Sequence, residues 1–366
     1  MKPITVPFYI RLACILFCLI CLGYLAIIAE KIIIPLLFSF LFAILLLPLA
    51  NTFEHKFRLS RGASSIISVL LFVIGVSLII YILGAQVASL GKDLPMLKQQ
   101  ISTLLANLQT WISVNFHIDT GKITDFVNNA SNTAIHSSTS LIGSTVLSLS
   151  SLILFLVFIL IYTIFLLYYR RLLLRFMTVA FTEKYSVLIA EIVHEIKLII
   201  KGYIVGLFLE MMIVSTIAIL IFLILGIKYV FLLGLLIGIL NVIPYVGIFT
   251  ALVIGLLVTF ATSDARHALF VAVTVICIHL FDSNFLMPRI VGSHVKINPL
   301  IIIIGVVAGE MIWGIPGMFL SVPYLAIAKV IFDRVEGMQA WGILLGEEEK
   351  PPQKTKRLQR WMKKKG

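Results

Sequence analysis

The chain alternates long apolar runs with short polar breaks, and the length of each run limits what it can do. Runs at 8–29, 32–50, 63–90, 147–169, 202–225 and 266–285 reach or approach the roughly 20 residues that a helix needs to cross about 30 Å of hydrocarbon. Two further stretches are different. Residues 228–261 hold two apolar arms that meet at Asn241-Val242-Ile243-Pro244-Tyr245-Val246-Gly247, and residues 298–332 hold two arms that meet at Trp313-Gly314-Ile315-Pro316-Gly317. Pro lacks a backbone donor and clashes with the preceding turn, so each pair of arms is predicted to break there. A break inside a membrane leaves backbone polar groups that only protein or a wet cavity can satisfy. Two readings fit: a re-entrant hairpin with its tip in the membrane, or two short crossings joined by a surface turn. Interrupted hydrophobic segments in matching places mark binding sites in transporters, which favours the first. Gly234 and Gly238 precede Gly305 and Gly309 by 71 residues, each pair on the arm that leads into its break. Glycines at i and i+4 let another backbone approach closely.

The remaining segments set the organisation. Residues 1–90 carry three spans. Residues 91–146 turn rich in Ser, Thr and Asn, with Leu94, Leu97, Ile101, Leu104, Leu108 and Trp111 at helical spacing. This is an extracytoplasmic amphipathic helix, either packed on its own neighbours or serving as a subunit contact or lid. Residues 147–201 hold the fourth span and, from 172 on, a charged cytoplasmic linker of one or two helices. Residues 202–334 form the expected transport core: span, hairpin, span, hairpin. Residues 335–366 are a basic cytoplasmic tail, expected to lack order beyond about Glu347.

Charge then fixes orientation. With the N-terminus in the cytoplasm, and each hairpin returning to its own side, 23 of the 29 Lys and Arg fall on the inside and 6 outside. The positive-inside rule therefore puts both termini in the cytoplasm. The first hairpin then enters from outside and the second from inside, which inverts one span-plus-hairpin unit relative to the other. The expected fold is an all-α polytopic membrane protein with about six full transmembrane helices plus two inverted helical hairpins, eight apolar units in an inverted repeat.

Composition agrees and excludes. The chain is 60% hydrophobic and 13% charged, with a mean hydropathy of +1.10, far from any soluble domain of this length. The net charge of +12 lies in loops and tail, where it suits anionic lipid rather than nucleic acid. Cys14, Cys18, Cys21 and Cys277 sit in apolar helices without metal-ligand spacing, so they are expected to pack as small apolar residues. The N-terminal run is longer than a signal peptide and has no small-residue cleavage site, and is read as a retained first helix.

Of the 17 acidic residues, three fall within apolar segments: Glu210 in the fifth span, Asp282 in the sixth and Glu310 in the second hairpin. A buried ionisable group in a membrane is costly, which makes each a functional candidate. Glu310, beside Gly309 and just before the break, is the strongest, set where a polar cavity is expected. It either carries a cation or proton, or hydrogen-bonds the opened backbone as a protonated acid. Glu210 lies near midplane. Asp282 and Asn284 sit near the inner end of their span, before Pro288, where they cap a helix or face a vestibule. Asn241, at the first tip, offers an amide to a solute or ion. Enzymatic motifs fail. His194-Glu195 opens like H-E-x-x-H, but Leu198 stands where the second His belongs, and no G-x-S-x-G, P-loop or Cys/His cluster is present. No enzyme, resident cofactor or metal is expected; coupling to H+ or Na+ is.

Taken together, Asn241-Val-Ile-Pro244-Tyr245-Val-Gly247, Asp282-Ser-Asn284-Phe-Leu-Met-Pro288-Arg-Ile-Val-Gly292, Asn298-Pro299-Leu300 and Trp313-Gly314-Ile-Pro316-Gly317-Met-Phe-Leu-Ser-Val-Pro323 resemble the autoinducer-2 exporter family, the AI-2E or PerM-like permeases. One departure is Ile248, where many relatives carry Pro. The resemblance implies a permease of the bacterial cytoplasmic membrane, working as a homo-oligomer with five copies as the expected number. Family members are linked to autoinducer-2 efflux, others to sodium–proton antiport. The leading expectation is a secondary transporter exporting a small polar solute on an ion gradient, with both hairpin tips forming a site near midplane. A cation/proton antiporter and a non-transporting membrane scaffold are the alternatives.

Overall fold

The architecture comes from a computed structural model, which describes residues 7–116, 152–180, 185–243, 246–290 and 296–347. Among the described residues there is no strand. The helices are α1 Phe8–Ile28, α2 Glu30–His55, α3 Arg61–Phe116, α4 Leu152–Tyr168, α5 Arg170–Ala180, α6 Ser186–Ile224, α7 Val230–Asn241, α8 Val246–Thr262, α9 Ala265–Phe281, α10 Met287–Ile290, α11 Pro299–Arg334 and α12 Gln339–Leu345. Five helices are long and apolar enough to cross a membrane, or six if the bent pair α4–α5 counts as one span. The protein is therefore an all-α polytopic membrane protein.

Several expected boundaries move. The charged linker and the fifth span are one helix, α6, because neither Lys201 nor Gly202 interrupts the ladder. At about 58 Å it is far longer than the hydrocarbon core, so one end projects beyond the membrane. The third span likewise runs on into the polar segment as α3; residues 117–146 lie outside the described residues. The loop expected at 51–62 shrinks, since α2 continues to His55. Before Glu347 the tail contains a short helix not expected from the sequence. The α12 helix docks on α11, with the Asn298 amide donating to the Leu345 carbonyl at 2.9 Å; residues 348–366 lie outside the described residues.

Three groups of helices share the interior, one of them α2, α3 and α4 around Ala43, Leu46, Val69 and Leu167. Residues of α2, α6 and α11 form a second core around Leu41, Ile44, Ile200, Tyr203, Leu320 and Ala326. Residues of α6, α7, α8 and α9 form a third around Val214, Phe222, Ile237, Ala251 and Val271. Two buried serines of α2 and α3 face partners rather than lipid. Buried Ser39 reaches the α4 carbonyl of Ile159 at 2.9 Å, and Ser68 donates to Ser64 at 2.7 Å. Outer faces are apolar and exposed, as at Phe17, Ile20 and Leu22 of α1, which suits a lipid environment. Cys14 and Cys18 share that exposed surface, so the expectation that they pack against a neighbour does not hold within one chain.

Both breaks are present. Val242 and Ile243 turn the chain between α7 and α8, whereas Pro244 and Tyr245 lie outside the described residues. The turn is so tight that a Cβ on Gly247 would stand 1.8 Å from the Leu240 carbonyl oxygen. In α11 the reversal falls at Gly314, with φ 62° and ψ −144°. The arms then fold on each other: a Cβ on Gly309 would meet the Gly317 carbonyl oxygen at 2.4 Å. In a straight helix those residues would be about 12 Å apart. Gly305 faces Leu325 on the returning arm in the same way.

Candidate ion site between the first hairpin and two spanning helices

The α7 arm lies directly on α6. A Cβ on Gly238 would stand 2.0 Å from Ser215 Oγ and 2.7 Å from the Met211 carbonyl oxygen, and one on Gly234 would collide with Ile219. Gly spacing thus allows two backbones to touch, and one turn on from Gly238 it delivers Asn241 to Glu210. Asn241 Nδ2 donates to Glu210 Oε1 at 3.1 Å and to Asp282 Oδ2 at 2.9 Å. Three sequence-predicted residues from three separate helical segments therefore meet at one amide nitrogen.

Asp282 is presented by an irregularity. Residues Asp282–Leu286 form a π-helical turn in which the Met287 amide donates to the Asp282 carbonyl. Pro288 has no amide to continue the regular ladder. The side chains of Ser283 and Asn284 take over neighbouring carbonyls, donating to His279 at 2.8 Å and Leu280 at 2.7 Å. Such π turns inside α-helices occur mostly at functional positions. Here Asp282 is buried while Asn284 stays exposed. Asn284 consequently repairs the backbone and is not brought into the cluster.

The cluster is deep. Glu210 and Asp282 are 6% and 4% exposed. Counted from the ends of α6, α7 and α9 that share one side, the three residues lie roughly 17–26 Å along their helices. Both carboxylates sit within hydrogen-bonding reach of one nitrogen, so their nearest oxygens are at most about 6 Å apart. At an effective dielectric of 20, two unit charges at that distance repel by about 3 kcal/mol. The second oxygen of Asp282, Oδ1, is buried without a hydrogen-bond partner. A buried carboxylate pair with a free lone pair is what a proton or a small monovalent cation would neutralise. Among the described residues no group of three or more His, Cys, Asp and Glu is arranged to hold a metal ion.

Glu310 does not join this cluster. It is exposed on the entering arm of the second hairpin, and its position explains how a carboxylate is tolerated there. Three residues further on, the Trp313 indole donates to the Ala26 carbonyl at 3.0 Å, near the C-terminal end of α1. The tip of this hairpin therefore reaches the level of the α1–α2 turn, not half-way along α1. A cavity of about 530 Å3 opens there, lined by Glu30, Lys31, Phe155, Phe158, Trp313 and Pro316. Among the described residues the two breaks have different partners: the first carries Asn241 beside Glu210 and Asp282, and the second lies against α1. Phe319 stacks on Phe38 at 5.4 Å, and Tyr324 donates to the Leu37 carbonyl at 2.9 Å, so the returning arm is braced along α2.

Sequence reasoning missed two groups near the cluster. Ser215 Oγ, wedged against Gly238, and His279 Nδ1, one turn before Asp282, are buried atoms without hydrogen-bond partners. Polar residues within an apolar run, Ser215-Thr216 and His279, were the available signal.

A chain with five or six membrane-length apolar helices and a buried carboxylate pair at a helix break has the build of a membrane transport protein. It belongs to the AI-2E transporter family: the model described as "AI-2E family transporter" matches residues 15–337. It is 27% identical to YueF of Bacillus subtilis over 81% of this chain and 82% of that protein. It is 25% identical to the AI-2 transport protein TqsA of Escherichia coli over 88% of this chain and 91% of that one. With YrrI of Bacillus subtilis it shares 39% identity over 35% of this chain and 36% of that protein.

Proposed function

We propose that this transporter is an ion-coupled exporter of a small polar, autoinducer-2-like solute, with Glu210, Asn241 and Asp282 holding the coupling proton or sodium ion. The observation that carries the reading is the pair of hydrogen bonds from Asn241 to the two buried carboxylates. An amide cannot balance two negative charges, so a cation entering the pair would relieve repulsion and change how α7 sits on α6. Release to the other side would reverse that change, which is the alternation a coupled transporter needs. The solute would occupy the cavity at the second hairpin tip, where Glu30, Lys31 and Trp313 supply charge and an aromatic face. The setting is the bacterial inner membrane, with both termini cytoplasmic and several copies assembled. TqsA carries the AI-2 name, and it supports the solute class without fixing it.

A second reading, a cation/proton antiporter without organic substrate, is favoured by one feature: the cluster is a closed knot of three side chains, sized for an ion alone. One experiment separates them. Purified protein is reconstituted in vesicles with an internal pH dye, first under an imposed sodium gradient and then with autoinducer-2 inside. Solute-dependent efflux that follows the ion gradient supports the exporter. Proton movement on sodium addition alone supports the antiporter. No flux in either arm contradicts both readings and returns weight to a scaffold.

A further inference from the structure

The geometry points to a binding site for one anionic phospholipid of the cytoplasmic leaflet, in the cavity that α5 closes against α2, α4 and α6. The cavity measures about 390 Å3, within the size range of ligand pockets. Its walls are apolar, from Ala43, Ile44, Leu47, Leu166, Leu174 and Ile196, while its polar rim is Asn51, His55, Arg170, Arg171 and Lys197. That division, an oily interior with cations at one edge, matches an acyl chain that ends in a phosphate.

Charge complementarity argues for an anionic rather than a zwitterionic occupant. Glu54 binds Arg170, Arg171 at 2.9 Å and Arg61 at 3.5 Å. One carboxylate thus faces three arginines and leaves the edge positive. Lys197 adds a further cation, for which no carboxylate partner occurs among the described residues. The location argues for a lipid rather than a soluble anion. The chain bends by 67° between α4 and α5, which swings the short helix away from the axis of its span. None of the residues of α5 is buried. Leu172, Phe176 and Val179 are exposed beside Arg170, Arg171 and Arg175, the composition of a helix that lies in the headgroup layer. Basic residues at that layer attract anionic lipid. The proposal is independent of the ion site, because Lys197 lies about 20 Å along α6 from Glu210 and the test needs no transport assay.

The full-length protein in detergent is titrated with phosphatidylglycerol, with phosphatidylcholine of the same chains, and with a soluble alkyl phosphate, and bound copies are counted by native mass spectrometry. The expected result is one phosphatidylglycerol per chain, held at least tenfold more tightly than phosphatidylcholine. Lys197→Gln and Arg171→Gln each weaken it by about fivefold, and Lys197→Arg restores it. Leu174→Trp, which fills the cavity from the α5 side, weakens both lipids. Arg171 is half exposed, so its variant keeps the test open if Lys197→Gln fails to fold. Equal affinity for the two lipids, or unchanged binding in both charge variants, would overturn the proposal. Tighter binding of the alkyl phosphate than of phosphatidylglycerol would overturn it too, in favour of a soluble amphipathic anion.

Discussion

An amide between two carboxylates satisfies geometry but not charge. Asn241 offers two hydrogens, and Glu210 and Asp282 take one each, yet nothing described cancels the negative charge of the pair. This separates the three interior acids by role. Glu210 and Asp282 are buried together; Glu310 is exposed one turn from a tip that contacts the end of α1. Glu310→Gln should therefore keep more than half of the ion-coupled flux of the parent, measured in vesicles at matched protein amount. Loss comparable to that of a cluster variant would place the coupling carboxylate at the hairpin tip instead. The rule that acids in apolar segments are functional candidates picked out Glu210 and Asp282 from sequence. It could not rank them above Glu310, because rank depends on which helix faces meet. Asp282 and Asn284 stand two residues apart, which already sets them on different faces of a helix, and Asn284 takes the structural of its two expected roles by donating to the Leu280 carbonyl. Outside the membrane the chemistry is simpler. Asp264 caps α9 by accepting from the His267 amide at 3.1 Å. Hydrogen bonds from the His267 side chain and backbone hold its carboxyl below the usual range. A depressed carboxylate contributes above its unfolded pKa, so this cap weakens as pH falls through the folded value.

Two glycine pairs with the same spacing serve different contacts. Gly234 and Gly238 seat the arm of the first hairpin on α6, whereas Gly305 and Gly309 seat one arm of the second hairpin on the other. The sequence marked both as places of close approach but was silent on the partner, because a small residue specifies a distance and not a neighbour. Gly238→Ala must push Ser215 and the Met211 carbonyl away, and so lengthens the Asn241–Glu210 contact. The expected outcome is about 1–3 kcal/mol of destabilisation by overpacking, read as a lower melting temperature, together with lost flux. Gly75→Ala, where a Cβ meets nothing within 4 Å, should leave both unchanged. Gly314 has a backbone conformation that is almost confined to glycine. Gly314→Ala should cost about 1–3 kcal/mol of strain and lower the yield of folded protein. A wild-type melting curve for that variant would mean that the chain reverses elsewhere. The membrane-length helices were legible from apolar runs, whereas α12, inside the basic tail, was not. Helix ends were not legible either, because α3 continues through Gly91 and Pro95 and α6 through Gly202, residues that read as breaks in the sequence.

At the scale of the molecule, two packed groups of helices share α6. One joins it to α2 and the returning arm of the second hairpin, the other to the first hairpin and α9. Glu210 sits on this shared helix, so a change of charge at the cluster acts on a helix that belongs to both groups. The apolar cavity of about 250 Å3 between Leu41, Phe72, Leu207, Met211, Val242 and Phe319 lies along that boundary, and gives side chains there room to shift. Small rearrangements at such boundaries are how packed helices slide. The most direct test is sodium-driven proton movement in vesicles holding the parent protein or Asp282→Asn. The substitution keeps the shape and the hydrogen-bonding reach of the side chain and removes its charge. The account predicts that coupled proton movement falls at least tenfold, while folded protein and its melting temperature stay close to the parent. Undiminished coupling in a well-folded Asp282→Asn protein would contradict the claim that this carboxylate pair holds the transported or coupling ion.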